Sequence, residues 1–398
     1  MTINAVAPRG DAGHTHCVFG RLLLSAVLLV GLGCAGPEEA PCLANVGVIC
    51  TVAGDGRQAF AGDGGAAAAG SLYLPQDMTP APDGSLYIAD YNNHCIRRVQ
   101  DGRIDTPIGS AFIGAAIDGP AEDVSLHHPT HIAISPTGRI IVSTWHTCSI
   151  MELEPETGWL RTLYGDGRKG YAGDGGRAKL AVFDLPVAVD FDSKGRAVIA
   201  DQANQRLRRV ELDGTIQTIV GPPPSWAPDG YVAVCPPLGT RKETLICQYC
   251  RPGPEGDADM ASCLQDPVYP RGFAGDGGPA TAALMNQSQG QEAPPSGRFE
   301  IGPDDTIYFA DPFNDRIRAV TSEGMIDTVA GGASGATGEA ANGYGGDGGA
   351  ATAALLNEPA DVAVADDGTL FIADTKNSCV RVVRGGTIST IAGRCGER

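Results

Sequence analysis

The sequence predicts an all-β fold, a β-propeller most simply read as five blades of four antiparallel strands. Two observations predict it. Its 55 glycines and 28 prolines are spread along the whole chain with few long apolar helical patterns, as many short strands joined by tight turns require. A unit of about 55 residues also recurs, and each copy offers four short strands bounded by turn residues.

The amino terminus comes first in chain order. Arg21 precedes an apolar run from Leu22 to Leu32, too short to span a bilayer comfortably and shaped like a secretory signal over 1–33. The segment Gly31-Leu32-Gly33-Cys34 resembles a bacterial lipobox, with Gly31 where Leu is usual. That resemblance implies lipidation at Cys34, a tether over 34–45, and an exported cell-envelope lipoprotein, with a secreted or periplasmic protein as the alternative.

From Val46 onward the repeat dominates. Four segments read Leu86-Tyr-Ile-Ala-Asp90, Ala197-Val-Ile-Ala-Asp201, Ile307-Tyr-Phe-Ala-Asp311 and Leu370-Phe-Ile-Ala-Asp374, with a divergent fifth at Ile140-Ile-Val-Ser-Thr144. Each leads into a charged strand such as Arg206-Leu-Arg-Arg-Val210, then into a strand ending in Gly such as Thr215 to Gly221. With the preceding apolar strand, as in Asp361-Val-Ala-Val364, this makes one blade. A single blade leaves both sheet faces uncovered, and a closed ring covers each with its neighbours. An isolated copy of the last strand, Ile49 to Gly54, predicts an extra edge strand before the first blade. A six-bladed ring would need a disguised blade inside the Pro- and Cys-rich insertion at 222–270, which shows little alternation.

These segments resemble NHL repeats from about Val46 to Gly393, and the linking loop Ala61-Gly-Asp-Gly-Gly65 recurs at Ala172, Ala274 and Gly345. The second copy departs most, lacking that loop and carrying Thr144 and Thr147 where the others have Asp and Asn.

The recurring polar residues read as structure. Asp90/Asn93, Asp201/Asn204, Asp311/Asn314 and Asp374/Asn377 suit tight hairpins between second and third strands. Arg98, Arg209, Arg318 and Arg381 are expected to pair with these carboxylates or with adjacent blades. Asp63, Asp174, Asp276 and Asp347 of the linking loops are expected to cap short helical turns rather than bind calcium, since the regular oxygen ligands of a calcium loop are missing. Gly165-Asp-Gly167-Arg-Lys-Gly170 matches a dinucleotide fingerprint by letter only, because no strand-helix context accompanies it.

Of 12 cysteines, removal of Cys17 and lipidation of Cys34 would leave ten, an even number that permits five disulfides. Cys235, Cys247, Cys250 and Cys263 are expected to form two bridges within the insertion. Cys95 and Cys379 occupy equivalent positions in the first and last blades, Cys42 or Cys50 is a candidate partner for Cys395, and Cys148 has no assigned partner.

The net charge of -18, from 29 basic and 47 acidic residues, repels phosphate backbones, so nucleic acid is not an expected partner. Histidine is the unevenly distributed residue. His94, His127, His128, His131 and His146 all fall in the first two blades and are expected on one face. The second residue after each first-strand proline is Asp77, His131, Ala188 and Asp361, with Arg298 at the fourth blade, which predicts a polar rim around the channel mouth. Blade five also looks like a segment of the peptide-amidating lyase propellers, which use channel histidines as metal ligands. Only His131 matches such a position.

Two functions follow as expectations. The first is a non-catalytic scaffold binding a protein, peptide or glycan through Asp77, His94, His131, His146 and Asp361, touching the membrane only through its lipid anchor. The alternative is a metal-dependent lyase or hydrolase, with His131, His128 and Arg298 as catalytic candidates and a divalent metal held in the channel by His131, Asp77 and Asp361.

Overall fold

In a computed structural model, residues 51–222, 232–234, 248–252, 258–259, 271–289, 294–332 and 342–396 are described. Ala53–Arg398 forms one compact unit. It contains five four-stranded antiparallel blades. Their first strands are Pro75–Pro80, Pro129–Ile134, Pro186–Phe191, Phe299–Ile301 and Asp361–Val364, and each blade continues in simple up-and-down order to an outer fourth strand. Short strands at Gly119–Pro120 and Gly278–Pro279 add a fifth edge to blades two and four. Within the insertion, Val232–Val234, Gln248–Pro252 and Ala258–Asp259 pair antiparallel; the side chains of its four cysteines lie outside the described residues, as do the signal, the tether and Cys34.

The core lies between blades, because each strand alternates its side chains between two neighbours. Tyr87 and Ala89 of blade one meet Ile132, Val142, Met151 and Leu160 of blade two in one buried cluster. Ala200, Leu207 and Val220 of blade three meet Phe299, Phe309 and Ile326 of blade four in another. The first strands converge on a common axis: Arg298 of blade four donates to the Gln76 side chain of blade one at 3.1 Å and to the Thr130 carbonyl of blade two at 3.3 Å.

The seam between blades five and one is less covered. At one register position Ile132, Val189, Phe299 and Val362 are at most 3% exposed, whereas Met78 is 67% exposed. Ala392 of blade five is likewise exposed where its equivalents Ala330 and Val220 are buried. The predicted edge strand is not formed by residues 51–54, and 49–50 lie outside the described residues. Gly54 instead donates to the Ala67 carbonyl, as Gly165 does to Ala178.

One polar network repeats in blades one, three, four and five. In blade three, Asp201 accepts the Asp184 N–H at 2.8 Å, the Asn204 amide at 2.8 Å and the Arg208 guanidinium at 3.4 Å. Arg208 also donates to Asp174 of the linking loop at 2.7 Å and lies over the Phe183 ring. The network arginines Arg97, Arg208, Arg318 and Arg381 are each fully buried. Arg98 and Arg209, one residue on, face the other side and pair with Asp105 and Glu211, which corrects the expected register in blades one and three.

The loop aspartates also differ from expectation. The three-residue helical turns after them have no side-chain cap, and Asp63, Asp174, Asp276 and Asp347 each take an arginine instead. Glycine is required beside them: at Gly173, φ is +103° and a Cβ would meet the Ala181 Cα at 2.8 Å.

Cys379 is bonded to Cys395, so neither pairs with Cys95, Cys42 or Cys50. Cys95 and Cys148 are buried free thiols, so the five disulfides that the even count permits are not all formed. Both sit where a blade's third strand begins, enclosed by neighbouring chain, and burial holds both thiols well above their usual range.

Candidate functional site

Five lead-in segments and five hairpins share one face of the ring. A recurring backbone bond joins them, with Asn92, Ala203, Phe313 and Lys376 donating to Tyr73, Asp184, Asn286 and Asn357. In blade two the same zipper runs from Trp145 to His128 and from His146 to His127, so three imidazoles are brought to one point. Blade two has also exchanged its polar network for Thr144, Thr147 and Met151, with Thr144 donating to the Ser149 carbonyl.

The imidazoles form a compact group. His128 Nδ1 and His146 Nδ1 are 2.7 Å apart, a hydrogen bond in which one ring donates and the other accepts. One ring nitrogen each from His127, His128 and His146 lies within 4.8 Å of the others. His94 arrives from blade one: its Nδ1 accepts the His128 N–H at 3.4 Å, the role that Gln205 plays for Gln287 and Asp315 for Glu358 between later blades. Tyr91 stacks on His128 with ring centroids 4.3 Å apart, and Trp145 lies 4.5 Å from His146.

Electrostatics disfavour the charged form of His128 and His94. Burial, then the neighbouring His146, pushes His128 down to about 3, and the same two causes lower His94.

The predicted rim is a separate arrangement. His131 Nε2 lies 3.8 Å from Asp77, whose carboxylate accepts the Ile132 N–H at 2.8 Å. Arg298 lies 3.7 Å from Asp361. The His131 Nδ1 is buried without a hydrogen-bond partner. Ala188 contributes no polar group, and two residues further along its strand Asp190 and, in blade four, Glu300 do. Glu300 accepts the Val364 N–H at 2.9 Å, and burial, with the charges of Asp190 and Asp361, pushes it up to about 7.

Sequence reasoning placed all five histidines on one face, kept His128 out of the binding set as a catalytic candidate, and left His127 out of every candidate set. Its signal was available: at its register position the other blades carry Tyr73, Asp184, Asn286 and Asn357, so the repeat does not demand histidine there. Glu300, Gln76 and Tyr91 were also missed, because their role depends on which residues face them across the ring.

A cavity of about 710 Å³ lies between blades one and two at the opposite ends of the strands, lined by Tyr87, Arg98, Ile134, Arg139 and Leu153. Its arginines are paired with Asp105 and Glu152.

Comparison with known proteins places these observations. A model described as the Teneurin NHL domain matches residues 299–384, and one described as the NHL repeat matches residues 72–99. Teneurin-m of Drosophila melanogaster is 26% identical over 84% of this chain, which spans 13% of that protein. Teneurin-1 of Caenorhabditis elegans is 33% identical over 37% of this chain and 5% of that protein. A solved structure from Bacteroides thetaiotaomicron, described as a structural genomics protein of unknown function, superposes with a TM-score of 0.51 at 13% identity, covering 87% of this chain and 64% of that one.

Proposed function

This chain is an NHL-repeat β-propeller, and from that premise we propose that it is an exported, non-catalytic scaffold that binds a protein, peptide or glycan on the face carrying blades one and two. One observation carries the reading. The repeat's internal polar network is maintained in four blades and abandoned in blade two, where His127, His128 and His146 stand on the surface-facing loops instead. Departure from a structural rule at one place on a rigid frame marks a position free for recognition. Phe112, Ile113 and Ile117, exposed on the connection between the same two blades, add an apolar contact of the kind a peptide or protein partner covers.

Export is supported by the Cys379–Cys395 bond, since disulfides persist in oxidising compartments, and Cys34 is proposed as its lipid anchor on the sequence alone. The test is thermal: peptide and glycan panels are screened for ligands that raise the melting temperature of the wild-type chain. A hit must lose its effect in the His127→Asn, His128→Leu, His146→Ala variant. Ligands that stabilise both proteins equally, or a panel with no hit, would dismiss this face as the binding surface.

A metal-dependent lyase or hydrolase at the channel mouth is the second reading, favoured by the unpartnered Nδ1 of His131 beside Asp77. It requires bound metal that is lost on His131→Ala.

A further inference from the structure

We propose that His127, His128 and His146 form a binding site for one borderline divalent transition-metal cation, zinc in the first instance, at the junction of blades one and two and separate from the channel rim.

The donor set comes first. Three ring nitrogens lie within 4.8 Å of one another. Tetrahedral zinc with Zn–N bonds of about 2.0–2.1 Å needs nitrogens roughly 3.3 Å apart. The 2.7 Å His128–His146 pair must therefore open slightly and the widest pair must close. Both adjustments fall on the side chains of three half-buried rings. All three donors are imidazole nitrogens with no carboxylate among them, a set that suits zinc, copper or nickel and not calcium or magnesium.

Proton bookkeeping is consistent with this. In the His128–His146 hydrogen bond the ring that carries Nδ1–H must shift that proton to its Nε2 when Nδ1 coordinates. This is a change of tautomer with no net proton release.

The surroundings hold the loops that carry these rings in place. The N–H of His128 is engaged by His94 Nδ1, Tyr91 stacks on the His128 ring, and the two backbone bonds from Trp145 and His146 hold hairpin and lead-in together. With three protein donors, a fourth coordination position is open to solvent or to a ligand's own donor atom.

The repeat does not call for histidine at these places. Blades one and three carry Leu74 and Leu185 at the position of His128, both in the same left-handed backbone conformation, with φ of 53° and 55° against 57°. Ala203 stands at the position of His146, and Asn286 and Asn357 at that of His127. Other blades form the same hairpins and lead-ins with leucine, alanine and asparagine at these places.

That equivalence supplies the experiment. Tag-free full-length protein, stripped with chelator and dialysed, is titrated with Zn2+ against a chromophoric competitor and with Co2+ by visible absorption. Wild type is expected to bind one equivalent, give tetrahedral Co2+ bands and gain melting temperature. The variant His127→Asn, His128→Leu, His146→Ala is expected to keep the apo melting temperature and bind at least about 100-fold more weakly. His131→Ala is expected to bind like wild type. If the triple variant does not fold, His146→Ala alone serves, since Ala203 occupies that position in blade three. No stoichiometric binding by wild type, undiminished binding by the variant, or loss of the metal on His131→Ala would each overturn the proposal.

Discussion

Arg208 reaches Asp174 at 2.7 Å from a position in which its own side chain has no solvent exposure. The same guanidinium lies 3.4 Å from the equally buried Asp201, so one cation joins the linking loop to the blade. Blade two shows how the network can be dispensed with, since Met151, Thr144 and Thr147 replace all its members together.

Removing only the cation therefore costs more than removing the set. Arg208→Met leaves Asp201 buried without its partner and is expected to lose about 3–5 kcal/mol. The combination with Asp201→Thr and Asn204→Thr, which copies blade two, is expected to recover part of that. Urea unfolding of the single and combined variants measures the difference, and equal losses would show the network to be inert.

Register equivalence gives a second test. Ile132, 1% exposed between blades, is expected to cost about 2–5 kcal/mol on substitution by Ala. Met78, at the same position facing the open seam, should change stability by less than about 0.5 kcal/mol on substitution by Ala. A large loss for Met78→Ala would mean that the seam is covered in solution.

Glu300 predicts a loss of stability towards alkaline pH. Its folded value of about 7 lies above the ordinary 4.5, so the protonated form is favoured by the fold. That contribution is complete below about pH 4.5 and disappears as pH rises through 7. Glu300→Gln should narrow the difference in melting temperature between pH 5 and pH 8, read by differential scanning fluorimetry.

His128 works in the opposite direction. Its folded value of about 3 lies below the ordinary 6.5, so the fold favours the neutral ring. The contribution is present above pH 6.5 and lost as pH falls towards 3. His128→Leu should reduce the acid sensitivity of the metal-free protein over that window, and an unchanged acid limb would place the titration elsewhere.

Much of this was legible in the chain. Alternation of period two, the Asp-x-x-Asn hairpins and the Gly-Asp-Gly-Gly loops identify the blade because each depends on residues close in sequence. The arginine register was misjudged by one residue in blades one and three, since Arg97-Arg98 and Arg208-Arg209 both offer a guanidinium and only burial distinguishes them. The cysteine expectation failed for a similar reason. Cys95 and Cys379 are equivalent within their blades, and the bond went to Cys395, which follows the last strand back past Cys379.

What the sequence by itself determined is the repeating unit: four strands, their hairpins, and the residues that each blade spends on its own cohesion. Tertiary structure alone decided which side chains of different units meet. It brought His94 to His128 and set His131 beside Asp77 in a different place, and it turned Glu300 towards Asp190 and Asp361. Local periodicity sets the face on which a side chain emerges, whereas the stacking of one sheet on the next sets its neighbour. That stacking is an outcome of how buried apolar surfaces fit together around the whole ring.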